Sequence, residues 1–243
     1  MSLAPRPYGL AEIMRALRAG WTLTRATLRA SLAYASMFAL IGALIIGALL
    51  RQGFTPYVVA AAGAFMLVGP AILAGFWGIA KAHETDGQAS LLAAVRGFAT
   101  AAPALWALAC VCALLFMIFV TDAGILYSYM VGGAPVWLAD LLPLSSGVAS
   151  FFLWTAVSGG VIAFLLYTVA AFSTPLLCER RARLVDAIVA SVRAVVGNFP
   201  AALLWAALLA CTIIGSILIL PALLFALPWL AYASRALYRQ VFP

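Results

Sequence analysis

The run from Pro200 to Ser234 contains no charged residue and constrains the fold more than any other feature of the chain. A single helix of this length would extend for about 50 Å, at about 1.5 Å per residue, whereas the hydrocarbon core of a bilayer is about 30 Å thick. Gly215, Ser216 and Pro221 lie near the middle of the run and favour a turn there. The run therefore predicts two membrane-spanning helices joined by a short connection.

Hydrophobic blocks of similar character occur along the rest of the chain. Hydrophobic residues make up 67% of the sequence and charged residues 9%, and the mean hydropathy is +1.14. These values are typical of an integral membrane protein and exclude an ordinary soluble domain. We predict an all-α fold and a single membrane domain over residues 1–243. Its six predicted spans cover residues 31–50, 57–80, 103–121, 148–175, 200–217 and 219–235.

Basic residues predict how these spans are oriented. With six spans both termini lie on one side, and of the 14 Lys and Arg residues only Arg51 then falls on the other side. The positive-inside rule places the arginine-rich side, with both termini, in the cytoplasm. The net charge of +7 predicts contact with anionic lipid headgroups there. No nucleic-acid partner is expected, because the arginines are dispersed and match no binding motif.

Amphipathic segments precede predicted spans 1, 3 and 5, in residues 1–30, 81–102 and 178–199. In the third, helical spacing places five residues on one narrow stripe: Arg183, Asp186, Ala190, Arg193 and Gly197. A helix with a thin charged stripe and a wide apolar face is typical of the membrane interface. The segments indicate a degenerate threefold repeat, each unit an interfacial helix and a pair of spans. The alternative is that connectors between spans are generally amphipathic and basic.

Five residues of these segments are candidates for contact with lipid headgroups or a partner: Arg25, Arg96, Arg183, Arg193 and Asn198. Asn198 lies where the third segment meets its span, just before Pro200. A structural role for Asn198 is the alternative, because its side chain can cap a helix or bond backbone groups left free near a proline.

Apart from Arg235, the last residue of the sixth, the predicted spans contain no Asp, Glu, Lys, Arg or His. Ion-coupled transport, haem or copper ligation and intramembrane proteolysis all need such groups within the membrane. We therefore predict a non-catalytic protein without a metal or cofactor. His83, Glu84 and Asp86 lie close together, but a solvated loop is favoured over a metal site. Cys110 and Cys112 point to nearly opposite sides of a helix, which favours packing over a redox pair.

Small residues recur at every fourth position in two predicted spans, a pattern that lets helices approach closely in lipid. They are Ser31, Ala35, Ala39, Ala43 and Gly47 in the first span, and Ala202, Ala206 and Ala210 in the fifth. Packing inside one bundle and association with another membrane protein, or self-association, both explain them. An outer loop is expected at residues 122–147, with a short helix around Pro135–Leu142.

Three segments resemble a bacterial family of predicted integral membrane proteins catalogued as domain of unknown function 2189. They are LRAGW, LVGPAILAGFW and STPLLCERRARLVDAIVASVRAVVGNFPAALLWAAL. Positions that fit the family's pattern include Pro70, Pro175, Ser191, Asn198 and Trp205. The resemblance implies a location in the bacterial inner membrane. Some members carry a loose cytochrome c oxidase label, which implies a respiratory context but no chemistry.

Two classes of function remain open from the sequence. The first is an accessory or assembly subunit of a larger membrane complex, in a respiratory context if the family label applies. It is favoured by the small-residue stripes and by the lack of catalytic groups. The alternative is a carrier or channel for a neutral or amphiphilic solute or a lipid. Proline and glycine within the spans, together with the repeat, favour this alternative.

Overall fold

The structure is a computed structural model that describes residues 4–55, 57–58, 69–132 and 146–243. These residues form ten α-helices and a 3₁₀ turn at Leu220–Ala222, which confirms the predicted all-α class. The helices are α1 (Leu10–Ala26), α2 (Leu28–Arg51), α3 (Gly69–Asp86), α4 (Leu91–Ala99), α5 (Pro103–Val131), α6 (Ser146–Ala170), α7 (Ser173–Cys178), α8 (Leu184–Gly197), α9 (Phe199–Leu218) and α10 (Leu223–Val241).

Four segments in the described part of the chain are long and apolar enough to cross a membrane. They are Leu28–Arg51, Pro103–Val131, Ser146–Cys178 and Phe199–Ser216. The predicted second span falls partly on residues 59–68, outside the described residues. The predicted sixth span lies mainly in α10, which carries two arginines in its C-terminal half. The number six therefore stays a prediction.

Helix α5 corrects the expected boundary of the outer loop. It continues ten residues past the predicted end at residue 121 and ends at Gly132, whose φ of 77° lies in the left-handed region that favours glycine. Asp122 therefore lies within a candidate span, and the prediction that the spans lack ionisable groups is wrong at this position. No proline lies between Thr121 and Val131, and the single glycine there, Gly124, is accommodated within the helix. The helix predicted around Pro135–Leu142 lies outside the described residues.

Helix α10 forms the centre of the packed core. Twelve of its 19 residues are buried, including Tyr232, Leu237 and Tyr238. Helix α1 runs antiparallel along it, and the Trp229 indole N–H donates a hydrogen bond to the Leu17 carbonyl at 2.9 Å. Tyr232 also contacts α2, where its hydroxyl lies 2.7 Å from the Ser31 Oγ atom. The first part of the α2 small-residue stripe therefore packs inside the bundle.

Three short helices, α1, α4 and α8, correspond to the predicted amphipathic segments and pack on other helices of the bundle. Helix α1 packs on α10, the last helix of the chain. Helix α4 packs on α3, and α8 packs on α6 and α7. At the break between α6 and α7, the Ser191 Oγ of α8 accepts a hydrogen bond from the Phe172 N–H at 3.2 Å and donates one to the Thr168 carbonyl at 2.8 Å. Ser191 thus satisfies backbone groups that the break leaves free.

The faces of the short helices differ partly from the predicted stripes. The sequence predicts Ala190 on the polar stripe beside Arg193, but Ala190 is buried, because a small side chain lets α8 approach its neighbours closely. Val185 and Val196 of α8 are 69% and 63% exposed. Helix α8 therefore has a buried face of small residues, an exposed apolar face and an exposed charged edge. Its location in the membrane interface stays a prediction.

The contact between α3 and α4 gives a test of this packing. A Cβ atom on Gly78 would lie 2.8 Å from the Gly97 Cα, whereas one on Gly47 would meet nothing within 4 Å. Gly78→Ala must push α4 away, at a cost of about 1–3 kcal/mol, and we expect a melting temperature in detergent lower by about 3–10 °C. Gly47→Ala, the matched control, should melt at or above the wild-type temperature. Equal melting of the two variants would contradict the close approach.

Candidate functional site

Two arginines of α10 share one carboxylate at the end of α3. Arg235, whose side chain is 5% exposed, donates from Nη1 and Nη2 to the two carboxylate oxygens of Glu84 at 2.6 and 2.8 Å. Arg239 donates to the same two oxygens at 3.0 and 3.2 Å. Arg235 and Arg239 lie one helical turn apart, so both reach Glu84. The cluster joins α3 to α10 by charge-assisted hydrogen bonds.

A second carboxylate extends this network toward the end of the chain. The Arg239 Nε lies 3.6 Å from Glu179 Oε1, and the Tyr238 hydroxyl donates to Glu179 Oε2 at 3.0 Å. Arg181 donates to the Tyr238 hydroxyl oxygen at 3.3 Å and to the Phe242 carbonyl at 2.7 Å. The segment after α7 is therefore held against the C-terminal end of α10.

The two guanidinium groups determine the charge of Glu84. Hydrogen bonding to Arg235, with its positive charge and that of Arg239, lowers the pKa of Glu84 to about 2. Burial, with the nearby Glu179 carboxylate, raises the pKa of the Tyr238 phenol to about 12. Glu84 is therefore ionised, and Tyr238 neutral, throughout the physiological pH range.

The network borders a cleft of about 660 Å³, which we call the basic cleft. Its charged lining consists of Lys81, Glu84, Glu179, Arg180, Arg235 and Arg239. Four cations thus face two carboxylates. The Lys81 ammonium makes no ion pair with the described residues, and Arg180 uses Nη2 to donate to the Thr100 carbonyl at 2.8 Å. The cleft carries an excess of two positive charges.

Trp77 lies between the basic cleft and a second, smaller space of about 130 Å³, the central cavity. Helices α3, α5, α6, α7, α9 and α10 surround this cavity, and no charged residue lines it. The Trp77 Nε1 and the Thr174 Oγ1 of its lining are buried without a hydrogen-bond partner among the described residues, and the Tyr167 hydroxyl, also in the lining, lies beside that of Tyr8. Trp77 and Thr174 are 6% and 1% exposed. The cavity therefore offers unsatisfied hydrogen-bonding groups within an apolar surround.

A third space of about 410 Å³, the lateral groove, lies mainly between α6 and α9. Small residues dominate its walls: Ala156, Gly159, Gly160, Ala163, Ala206, Ala207 and Ala210. Thr155 also lines it and is buried, with an Oγ1 that has no partner among the described residues. Ala163 and Tyr167 line both the groove and the central cavity. The three spaces thus form a series in which neighbours share lining residues.

The five candidate contact residues from the sequence do not come together in one site. The four arginines among them are exposed and lie outside the three spaces; they are Arg25, Arg96, Arg183 and Arg193. The Asn198 Oδ1 accepts a hydrogen bond from the Tyr8 N–H at 3.1 Å, and its Nδ2 donates to the Ala194 carbonyl at 3.0 Å. Asn198 thus bonds backbone groups near the α8–α9 junction. This is the structural role given above as the alternative to contact with lipid or a partner. Lipid contact by the arginines stays a prediction.

The motifs weighed as metal or redox sites have other surroundings. Glu84, the middle residue of the His83–Asp86 group, is engaged by two arginines, and no cluster of three metal-ligating side chains occurs within the described ranges. Cys110 is exposed and Cys112 buried, as expected from their opposite sides of the helix. The predictions that this is not an enzyme and has no cofactor stay predictions.

Sequence reasoning did not find the basic cleft. A signal was present, because the chain has only 7 acidic residues and two of them, Glu84 and Glu179, closely follow predicted spans 2 and 4. Arg235 ends the sixth predicted span on the same side. Opposite charges at the same end of neighbouring spans favour pairing between them. By contrast, Pro70, Pro175 and Trp205, at which the chain fits the family's pattern, all line the central cavity.

Comparison with known proteins gives a family but no characterised relative. A family model described as predicted integral membrane protein, domain of unknown function 2189, matches residues 58–179. No curated protein and no solved structure matches the chain. The matched region contains residues of both the basic cleft and the central cavity, among them Trp77, Lys81, Glu84, Thr174 and Glu179. This chain therefore belongs to the family of predicted integral membrane proteins catalogued as domain of unknown function 2189.

Proposed function

We propose that this integral membrane protein is a non-catalytic carrier or binding protein for an amphiphile with an uncharged polar group. The unpartnered Trp77 and Thr174 atoms in the central cavity carry the proposal. A buried polar group without a partner costs about 1–3 kcal/mol, and a ligand that bonds both atoms recovers this free energy. The ligand's polar group is uncharged, because a charge would be expensive in a cavity with no counter-charge.

The lateral groove supplies the place for the apolar part of the same molecule. Its lining is almost entirely apolar, and Ala163 and Tyr167 connect it with the central cavity. Its volume of about 410 Å³ lies in the range of small-molecule sites, and hydrocarbon gains free energy when such a surface covers it. The carrier therefore holds the polar group of the amphiphile inside the bundle and its hydrocarbon part between α6 and α9.

The second candidate is an accessory or assembly subunit of a larger membrane complex. The small residues on both walls of the lateral groove favour it, because they let a partner's transmembrane helix approach closely. The unpartnered Thr155 hydroxyl would then bond a polar side chain of that helix. A respiratory complex rests only on the family resemblance.

For either function we propose a bacterial inner-membrane location with both termini in the cytoplasm. The bias of the basic residues supports this orientation, and so does the proximity of the termini, where the Arg6 N–H donates to the Val241 carbonyl at 2.9 Å. A reporter active only in the cytoplasm should be active after Gln88, Ala182 or Pro243 and inactive after Gly132. Activity after Gly132 would contradict the orientation and the six-span arrangement.

The carrier proposal is tested by removing one hydroxyl from the central cavity. Thr174→Val keeps the shape of the side chain but loses the hydrogen bond, so native mass spectrometry should find the co-purifying amphiphile reduced about fivefold or more. Thr121→Val is the matched control, because the Thr121 hydroxyl is exposed and donates to the Met117 carbonyl of its own helix. This control should retain the amphiphile at the wild-type level, near one per chain.

The same variants separate the two candidate functions. If Thr174→Val raises the melting temperature and no amphiphile is bound to the wild type, the hydroxyl is simply an unsatisfied group and the carrier proposal is wrong. Ala207→Leu fills the lateral groove and should also reduce bound amphiphile. If it instead releases a stoichiometric partner protein from an amphiphile-free wild type, the accessory-subunit function replaces the carrier.

A further inference from the structure

We propose that the basic cleft binds a phosphate monoester group, carried either by a soluble phosphate ester or by a lipid headgroup. The proposal is independent of the amphiphile in the central cavity, since Trp77 is the one described residue that the linings of the two spaces share. Its first basis is charge. Four cations and two carboxylates line the cleft, so two positive charges have no internal partner. A phosphate monoester carries about −1.5 to −2 charges at neutral pH and matches this excess.

Its second basis is the buried arginine at the wall of the cleft. The Arg235 side chain is 5% exposed, and its Nε is buried without a hydrogen-bond partner among the described residues. Among the described residues, one carboxylate is bonded to Arg235, that of Glu84, and it is shared between Arg235 and Arg239. Guanidinium groups bind phosphate oxygens in a bidentate manner. One carboxylate balances only one of the two guanidinium charges, and a phosphate would balance the other.

Its third basis is the backbone of Arg180. This residue follows the end of α7, and the Arg181 N–H bonds the Leu176 carbonyl at 2.9 Å, a helix ending in which glycine usually takes the left-handed position. Arg180 occupies that position with a φ of 54°. Glycine would adopt this conformation without strain but would remove a cation from the cleft. A strained residue that places a charge in a cavity indicates a ligand contact.

Lys81 is the fourth cation of the basic cleft and comes from α3. It lies one turn before Glu84 on α3, is exposed, and has no ion pair with the described residues. Its ammonium group therefore remains available to an incoming anion. The volume of about 660 Å³ accommodates a phosphate together with the group that bears it. Phosphate oxygens would thus meet cations supplied by α3, by α10 and by the segment after α7.

The test is titration of the purified full-length protein with inorganic phosphate at constant ionic strength, with chloride as the reference salt. Binding is measured by calorimetry and by the melting temperature. We expect saturable stabilisation by phosphate. Arg180→Gly and Lys81→Gln should each weaken phosphate binding about tenfold or more, since each removes a charge-assisted contact. Arg193→Gln, which removes an exposed arginine of α8 outside the cleft, should bind as the wild type does.

The choice of Arg180→Gly separates binding from folding. Because glycine suits the left-handed position, this variant should melt at or above the wild-type temperature without phosphate while losing affinity. Identical responses to phosphate and chloride, or an equal loss of affinity in Arg193→Gln, would overturn the proposal.

A second titration identifies the source of the phosphate group. Dioctanoyl phosphatidic acid is compared with dioctanoyl phosphatidylcholine, which has the same chains and no monoester. Phosphatidic acid that binds more tightly than inorganic phosphate and displaces it supports a lipid headgroup, whereas equal affinities support a soluble ester. Equal binding of the two lipids, unaffected by Arg180→Gly, would contradict a phosphate monoester site.

Discussion

The ion pair between Glu84 and the two arginines Arg235 and Arg239 is the interaction on which the arrangement of α3 and α10 depends. A guanidinium as buried as that of Arg235 is tolerated only when a counter-charge and hydrogen bonds replace its hydration. Glu84 supplies both, and it lies in the last turn of α3, which ends at Asp86. The pair thereby positions α10 next to α3 and allows its arginine-bearing half to lie in the protein core.

The remaining packing follows from the central place of α10. Helices α1, α2, α3 and α9 contact it, and the end of the bundle near the termini is the densely packed one. Elsewhere the spans are sparsely packed: in their most apolar windows, between 11% and 39% of the residues are buried. Leu40 and Leu44 of α2, for example, are 63% and 66% exposed. Apolar surface of this kind suits lipid, and spaces between loosely packed helices become the groove and the cavity.

Sequence patterns predicted the features that depend on local composition. The all-α class, the break near Pro221 and the opposite environments of Cys110 and Cys112 follow from hydropathy and helical geometry, and the structure has them. The sequence predicts too early an end for α5, because Asp122 is the first charged residue after the predicted span and charges are rare within spans. The burial of Ala190 was missed because a small apolar residue fits a polar stripe and a packed face equally well.

The basic cleft could not be derived in the same way. Glu84 and Arg235 are separated by 151 positions, and no local periodicity relates residues so far apart. Arg180 is similar, because no glycine marks its left-handed position and its side chain bonds the Thr100 carbonyl, 80 positions away in the sequence. Residues of the three short helices were favoured instead, since their arginines form visible stripes. The structure places those arginines on the surface, and the charged lining of the basic cleft comes from residues near the ends of α3, α7 and α10.

A double-mutant cycle on Glu84 and Arg235 tests this account most directly. Because the pKa of Glu84 is lowered to about 2, its contribution to stability is present above the unfolded pKa and is lost as the pH falls from about 4.5 toward 2. At pH 7, Glu84→Gln or Arg235→Gln should each lower the free energy of unfolding by about 2 kcal/mol, less than for a fully buried pair because Glu84 is 40% exposed.

The double variant should have a free energy of unfolding only slightly lower than that of the less stable single variant. The wild type should lose stability between about pH 5 and about pH 3, on either side of the unfolded pKa of about 4.5, and Glu84→Gln should lose much less over the same range. Additive effects of the two substitutions, with an unchanged dependence on acid, would contradict the central role of this ion pair.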